Sequence, residues 1–206
     1  SDIVGYMAVG QAGEGALNVA AGGRFTGDEY GIMGVGVEKG SVGTVQVSGD
    51  GSVLDAGGLL LISGSIPAGT VDRDALDLVG RGTASVTVGA GATLRAGEAQ
   101  GDGIDDIFIG ENGTLRIEDG GTVEGDVNNT AGGTYITGNS PGWAEIVGDF
   151  DWSGELAMEF AGDDRGEHDR LDITGEAVLA GIVTLDFSLD EGLESGDRFT
   201  VIEADE

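Results

Sequence analysis

A chain of 206 residues with 38 acidic and 9 basic side chains carries a formal net charge of −29, so it offers no basic stripe to a nucleic acid and is repelled by an anionic membrane surface. It has no cysteine, which excludes a disulfide framework, a thiolate nucleophile and a cysteine-built zinc site. Its 42 glycines stand beside only 2 prolines and among regularly placed apolar residues, which separates the chain from collagen and from a disordered tail.

Taken in chain order, four units share one figure. Val9-Gly10 is followed by Leu17, Val19 and Phe25, and Val35-Gly36 by Val45, Val47 and Val53. Val79-Gly80 then precedes Val86, Val88 and Leu94, and Ile109-Gly110 precedes Leu115, Ile117 and Val123. Each unit reads apolar-x-apolar, five further residues, then apolar, with Gly22, Gly51, Gly91 or Gly120 in the intervening corner. Alternation puts Leu115 and Ile117 on one face of a strand and Arg116 and Glu118 on the other.

The first apolar positions of successive units lie 28, 41 and 29 residues apart. A period near 28 suits one solenoid coil of about three short strands, and one coil buries its apolar face only by stacking on neighbours roughly 4.8 Å away. The fold expected is all-β: a parallel β-helix with Leu17, Val19, Val45, Val47, Val86, Val88, Leu115 and Ile117 pointing inward. An antiparallel sandwich of short strands is the alternative. The long interval marks an insertion near 59–78, made of the buried strand Leu59-Leu60-Leu61-Ile62 and a protruding segment at 71–78. No apolar run approaches the roughly 20 residues of a membrane-spanning helix, so direct membrane insertion is not expected. Residues 1–133 read as glycine-rich coils. From 134 to 206 aromatics gather (Tyr135, Trp143, Phe150, Trp152, Phe160, Phe187 and Phe199). Wider coils with longer strands are expected there, closing the same solenoid.

The candidate chemistry is sparse. Asp102, Asp105 and Asp106 sit in one Gly-rich loop, and Asp163, Asp164 and Glu167 form a second cluster. Both supply the carboxylate oxygens that calcium prefers, although neither matches an EF-hand loop or a Gly-Gly-x-Gly-x-Asp repeat. Solvated acidic corners are the plainer reading. Asp105-Asp106 is also the best local acid pair for glycoside hydrolysis, but no Arg, Lys or His cluster accompanies it. The single His168 has no nucleophile beside it in sequence and reads as structural. No catalytic residue is assigned, and an enzyme is not expected.

Four segments carry a family resemblance: Gly138-Asn139-Ser140-Pro141-Gly142, His168-Asp169-Arg170-Leu171-Asp172-Ile173-Thr174-Gly175, Ala177-Val178-Leu179-Ala180-Gly181 and Gly196-Asp197-Arg198-Phe199-Thr200-Val201-Ile202. In this order they resemble a recurrent segment of bacterial autotransporter passenger domains and related surface β-solenoid proteins. The coil Ile109-Gly110-Glu111-Asn112-Gly113-Thr114-Leu115 is similar to that family's glycine-rich repeats. The resemblance implies a right-handed β-helix exported to the cell surface or beyond, with a structural, adhesive or matrix role. A signal and a membrane barrel, which the full family pattern includes, are not in this sequence, and relatives usually continue past the position of Glu206. The chain is therefore expected to be a piece of a longer protein or a processed subunit. The function expected is a structural protein that joins copies of itself through its solenoid ends into a surface layer, fibre or matrix. The alternative is an adhesin for a glycan or a cell-surface partner.

Overall fold

The structure, a computed structural model, describes residues 5–65, 77, 79, 81–97, 106–129, 132–138, 141–162, 166–187 and 195–205. Among these residues lie 21 strands and no helix. The strands wind as seven coils, each coil giving one strand to each of three seven-stranded parallel sheets. This is the parallel β-helix that the spacing predicts.

The first sheet stacks β1 (Tyr6–Val9), β4 (Ile32–Val35), β7 (Leu59–Ile62), β10 (Ile107–Ile109), β13 (Val127–Asn129), β16 (Phe150–Trp152) and β19 (Ala177–Leu179). The second stacks β2 (Glu14–Ala20), β5 (Val42–Ser48), β8 (Thr83–Val88), β11 (Gly113–Ile117), β14 (Thr134–Thr137), β17 (Glu155–Glu159) and β20 (Ile182–Asp186). The third stacks β3 (Arg24–Thr26), β6 (Val53–Asp55), β9 (Thr93–Arg95), β12 (Gly121–Glu124), β15 (Trp143–Val147), β18 (Arg170–Ile173) and β21 (Ile202–Ala204). All three sheets pass residue 133 without a break, since β13 and β14 belong to one coil.

Register turns the alternation into ladders along the axis. Leu17, Val45, Val86, Leu115, Tyr135, Leu156 and Val183 form one inward ladder. Val19, Val45, Val47, Val86, Val88, Leu115 and Ile117 are buried, as expected. Leu17 is only partly buried, because it lies on the first coil and packs against neighbours on one side alone. In the later coils aromatics fill the core: Tyr135, Phe150, Trp152 and Phe160 are all buried, with Tyr135 edge-on to Phe150 at 5.4 Å. The strands there are 3 to 5 residues long, not longer than the earlier ones as the sequence implied; β2 and β5, at 7 residues, are longer.

Two details of the repeat differ from the expectation. The inward residue of the second coil is Leu54, not Val53, since Phe25 pairs with Leu54 and Leu54 with Leu94. The corner before it holds one extra residue. Ser52 turns inward there, donating its hydroxyl to Ser48 O at 2.7 Å and accepting the Gly22 N–H at 3.0 Å.

The second correction concerns the insertion. β7 is a full rung of the first sheet, so the excursion begins after Ser63 and not at residue 59. Ile62-Ser63, not Val79-Gly80, takes the place of Val35-Gly36, and Val79 is 66% exposed. Gly10, Gly36 and Ser63 adopt φ of 72°, 64° and 62° at successive copies of this corner. A Cβ on Gly36 would stand 2.5 Å from the Thr83 carbonyl oxygen, so only glycine fits there. Ser63 holds the same left-handed backbone with its hydroxyl donating to Gly82 O at 2.7 Å. Ser65 and Asp77 exchange two backbone hydrogen bonds of 3.0 Å at the base of the excursion. Most of the protruding segment, 71–76 and 78, lies outside the described residues.

The run Leu59-Leu60-Leu61-Ile62 is apolar at every position because both sides of β7 are covered. Leu60 and Ile62 enter the core, while Leu59 and Leu61, on the outer side, are 2% and 0% exposed. Val37 and the Tyr6 ring lie over Gly34 on that same outer side.

Candidate functional site

Of the two acidic clusters, Asp102, Asp105, Asp163 and Asp164 lie outside the described residues. Asp106 is buried at the corner where the third sheet leads into the first. Its Oδ2 accepts the Asp126 N–H at 3.4 Å, Asp126 Oδ1 accepts the Asp149 N–H at 2.8 Å, and Asp149 Oδ1 accepts the Glu176 N–H at 2.8 Å. The register of Ile107, Val127, Phe150 and Ala177 places these four acids on one corner of four successive coils. The result is a ladder in which the carboxylates of Asp106, Asp126 and Asp149 each tie down the backbone of the next coil. A Cβ on Gly148 (φ 150°) would stand 2.7 Å from Asp126 Oδ1, so glycine clears the space that the carboxylate fills.

The sequence signal for this ladder is Gly125-Asp126-Val127, Gly148-Asp149-Phe150 and Gly175-Glu176-Ala177, which sequence reasoning passed over. Asp126→Ala strips the acceptor from the Asp149 N–H and is expected to lower stability by about 1–3 kcal/mol in urea denaturation. Asp119→Ala, at an exposed corner, serves as the comparison and is expected to cost less.

Glu167 is exposed, and its carbonyl oxygen accepts the Ala161 and Gly162 N–H groups at 2.6 and 3.0 Å. Among the described residues, no group of three or more His, Asp or Glu side chains converges to hold a metal ion.

His168 lies in an aromatic cluster, parallel to Phe160 at 6.0 Å and edge-on to Phe199 at 5.2 Å, and Phe160 also stacks on Phe187 at 4.7 Å. The neighbouring Asp169 is 1% exposed. Its Oδ1 accepts the Gly142 N–H at 2.7 Å and its Oδ2 the Glu159 N–H at 2.8 Å, so one carboxylate joins the turn before β15 to the end of β17. Burial pushes its pKa up to about 6, against the opposing pull of those two bonds.

The sign of the pH effect follows from this. The unfolded chain ionises this group near the ordinary value of 3.8, the folded chain near 6. Its contribution to stability is therefore fully present below about pH 4 and is lost as pH rises through about 6. Melting temperature is expected to fall between pH 4 and 6.5, and Asp169→Asn should flatten that slope. An unchanged slope in the variant would remove Asp169 as its source.

The outer faces differ in character. On the third sheet Trp143 Nε1 donates to Asp172 Oδ2 at 2.7 Å, and Arg170 pairs with both Asp172 and Glu203. The second sheet presents two nearly uncharged outer rows. One runs Ala16, Thr44, Ser85, Thr114 and Thr134, and the other Asn18, Gln46, Thr87, Arg116 and Ile136.

At the seventh coil the core lies open. Leu179, Val183, Leu185 and Phe187 are 43% to 47% exposed, and Val178 and Ile182, on the outer side of the same strands, are 46% and 69% exposed. Val183 and Leu185 stand opposite Leu156 and Met158, which are fully buried one coil earlier. On the first coil the inward residues Met7, Leu17 and Phe25 are likewise only partly buried. Comparison of the chain with protein-family models, with curated proteins and with solved structures finds no match.

Proposed function

We propose that this protein is a structural β-solenoid which associates end to end with copies of itself, as a building block of an extracellular or cell-surface fibre, layer or matrix. The observation that carries the reading is the open face of the seventh coil, where core ladders continue into exposed Val183 and Leu185. An apolar patch of this kind marks an interaction surface, and β19, β20 and β21, the last strands of their sheets among the described residues, are templates for further strands. A charge of −29 on each copy opposes close approach, so association is expected to strengthen as salt screens it. The extracellular setting rests on the family resemblance of the sequence.

Light scattering on the 206-residue chain tests the proposal. Mean mass is expected to grow with protein concentration and with sodium chloride from low ionic strength to about 1 M, where the screening length falls to roughly 3 Å. A strict monomer at every concentration and salt level overturns it. A second reading, a module that binds a neutral glycan, is favoured by the hydroxyl and amide rows on the outer face of the second sheet. Under that reading Thr87→Glu would weaken glycan capture and leave particle mass unchanged.

A further inference from the structure

Resting on the end-to-end reading, we propose that the joint between copies is in register, with the first coil of one copy seated on the seventh coil of the next as an eighth rung of the same three sheets. Each face ends in one strand of each of the three sheets, β1, β2 and β3 on one and β19, β20 and β21 on the other. Following each ladder from the first coil to the seventh fixes which residues would face one another across the joint.

On the outside, Ala8 shares a ladder with Val178, Ala16 with Ile182, Asn18 with Thr184, and Arg24 with Glu203. None of these four pairs sets like charges together and one sets opposite charges together, in a chain where acids outnumber bases 38 to 9. Where two charged side chains meet on so acidic a surface, carboxylate would more often face carboxylate than a cation. Glu203 already pairs with Arg170 on its own copy. Arg24 of the next copy would approach from the other side and complete an Arg-Glu-Arg ladder along the outer face of the third sheet.

The inward pairs are complementary in size. Met7 shares a ladder with Ala177, and Phe25 shares one with Ala204. A large side chain on the first coil thus meets a small one on the seventh, while Leu17 meets Val183. Stacking buries these partly exposed groups and pairs three strand edges at once. The contact joins two different surfaces and repeats by translation along the axis, so it propagates as a filament and does not close.

The absence of cysteine makes a cross-linking test clean. In an in-register parallel joint, residues sharing a ladder stand about 4.8 Å apart, within the Cα separation that a disulfide spans. The double variant Ala8→Cys with Val178→Cys, and independently Asn18→Cys with Thr184→Cys, is expected to give a ladder of covalent multimers on mild oxidation. The mismatched pair Ala8→Cys with Thr184→Cys is expected to stop at dimers. All four positions lie on outer faces, which keeps the fold intact, and two independent pairs guard against the failure of one. Arg24→Glu, which sets two carboxylates together, is expected to weaken association several-fold, most at low salt. If wild-type mass grows but neither matched pair cross-links beyond dimers, the register is wrong and end-to-end association by another geometry stands. If wild type is a strict monomer, both proposals fall.

Discussion

Ile117→Asp is expected to leave no folded protein at neutral pH. Ile117 is fully buried, with Val88 on the coil before it and Thr137 on the coil after it in the same ladder. Truncating such a side chain costs about 2–5 kcal/mol through lost transfer energy and the cavity left behind. An aspartate adds a carboxylate with no cationic partner in a core of stacked aliphatic rows, and that desolvation exceeds what the cavity alone would cost. A domain stable by about 5–15 kcal/mol has little left after both terms. Coupling between coils makes the loss global, because each coil is buried only by its neighbours. Ile117→Val, at about 0.5–1.5 kcal/mol, is the control for packing alone. Arg116→Gln, one residue away on the outer face, gives up a 3.3 Å hydrogen bond to Gly138 O and should cost far less. Circular dichroism with thermal melting reads all three, and a wild-type melting temperature for Ile117→Asp would overturn the inward assignment of β11.

Alternation carried the inward ladders of the first four coils, because a strand with one buried face leaves a period of two in the sequence. It failed where a corner gained a single residue: Ser52 is polar yet turns inward, so the apolar signal slid from Leu54 to its outer neighbour Val53. It also hid the shorter coils. Leu115, Tyr135 and Leu156 follow one another at intervals of 20 and 21 residues, but Thr137 stands where the pattern asks for an apolar side chain. The aspartate ladder was the least legible feature. Among 38 acids a buried carboxylate is indistinguishable in sequence from a solvated one, and only the register of successive coils aligns Asp106, Asp126 and Asp149. The open seventh coil was legible only in outline, since alternation at Val183 and Leu185 predicts burial and does not say what covers them.

Trp152→Ala is expected to cost about 3–5 kcal/mol, and Trp152→Phe much less. The indole is fully buried at the end of β16 and stacks on Phe150 at 6.3 Å with 13° between the rings. Alanine at this point leaves a void that the coils before and after are too regular to fill by collapse. Phenylalanine keeps the ring and most of the volume. What it removes is the indole N–H, and among the described residues Nε1 has no hydrogen-bond partner, nor has Oδ1 of Asn129, its neighbour in the same ladder. A well-bonded N–H would make its loss expensive, because the partner would be left buried and alone. Here nothing is orphaned, so only the volume difference remains. Trp143, on the outer face of the third sheet, stays in both variants as the fluorescent reporter for urea unfolding. A Trp152→Phe variant as unstable as Trp152→Ala would show that the indole nitrogen is bonded in solution, most simply through a water bridging it to Asn129 Oδ1.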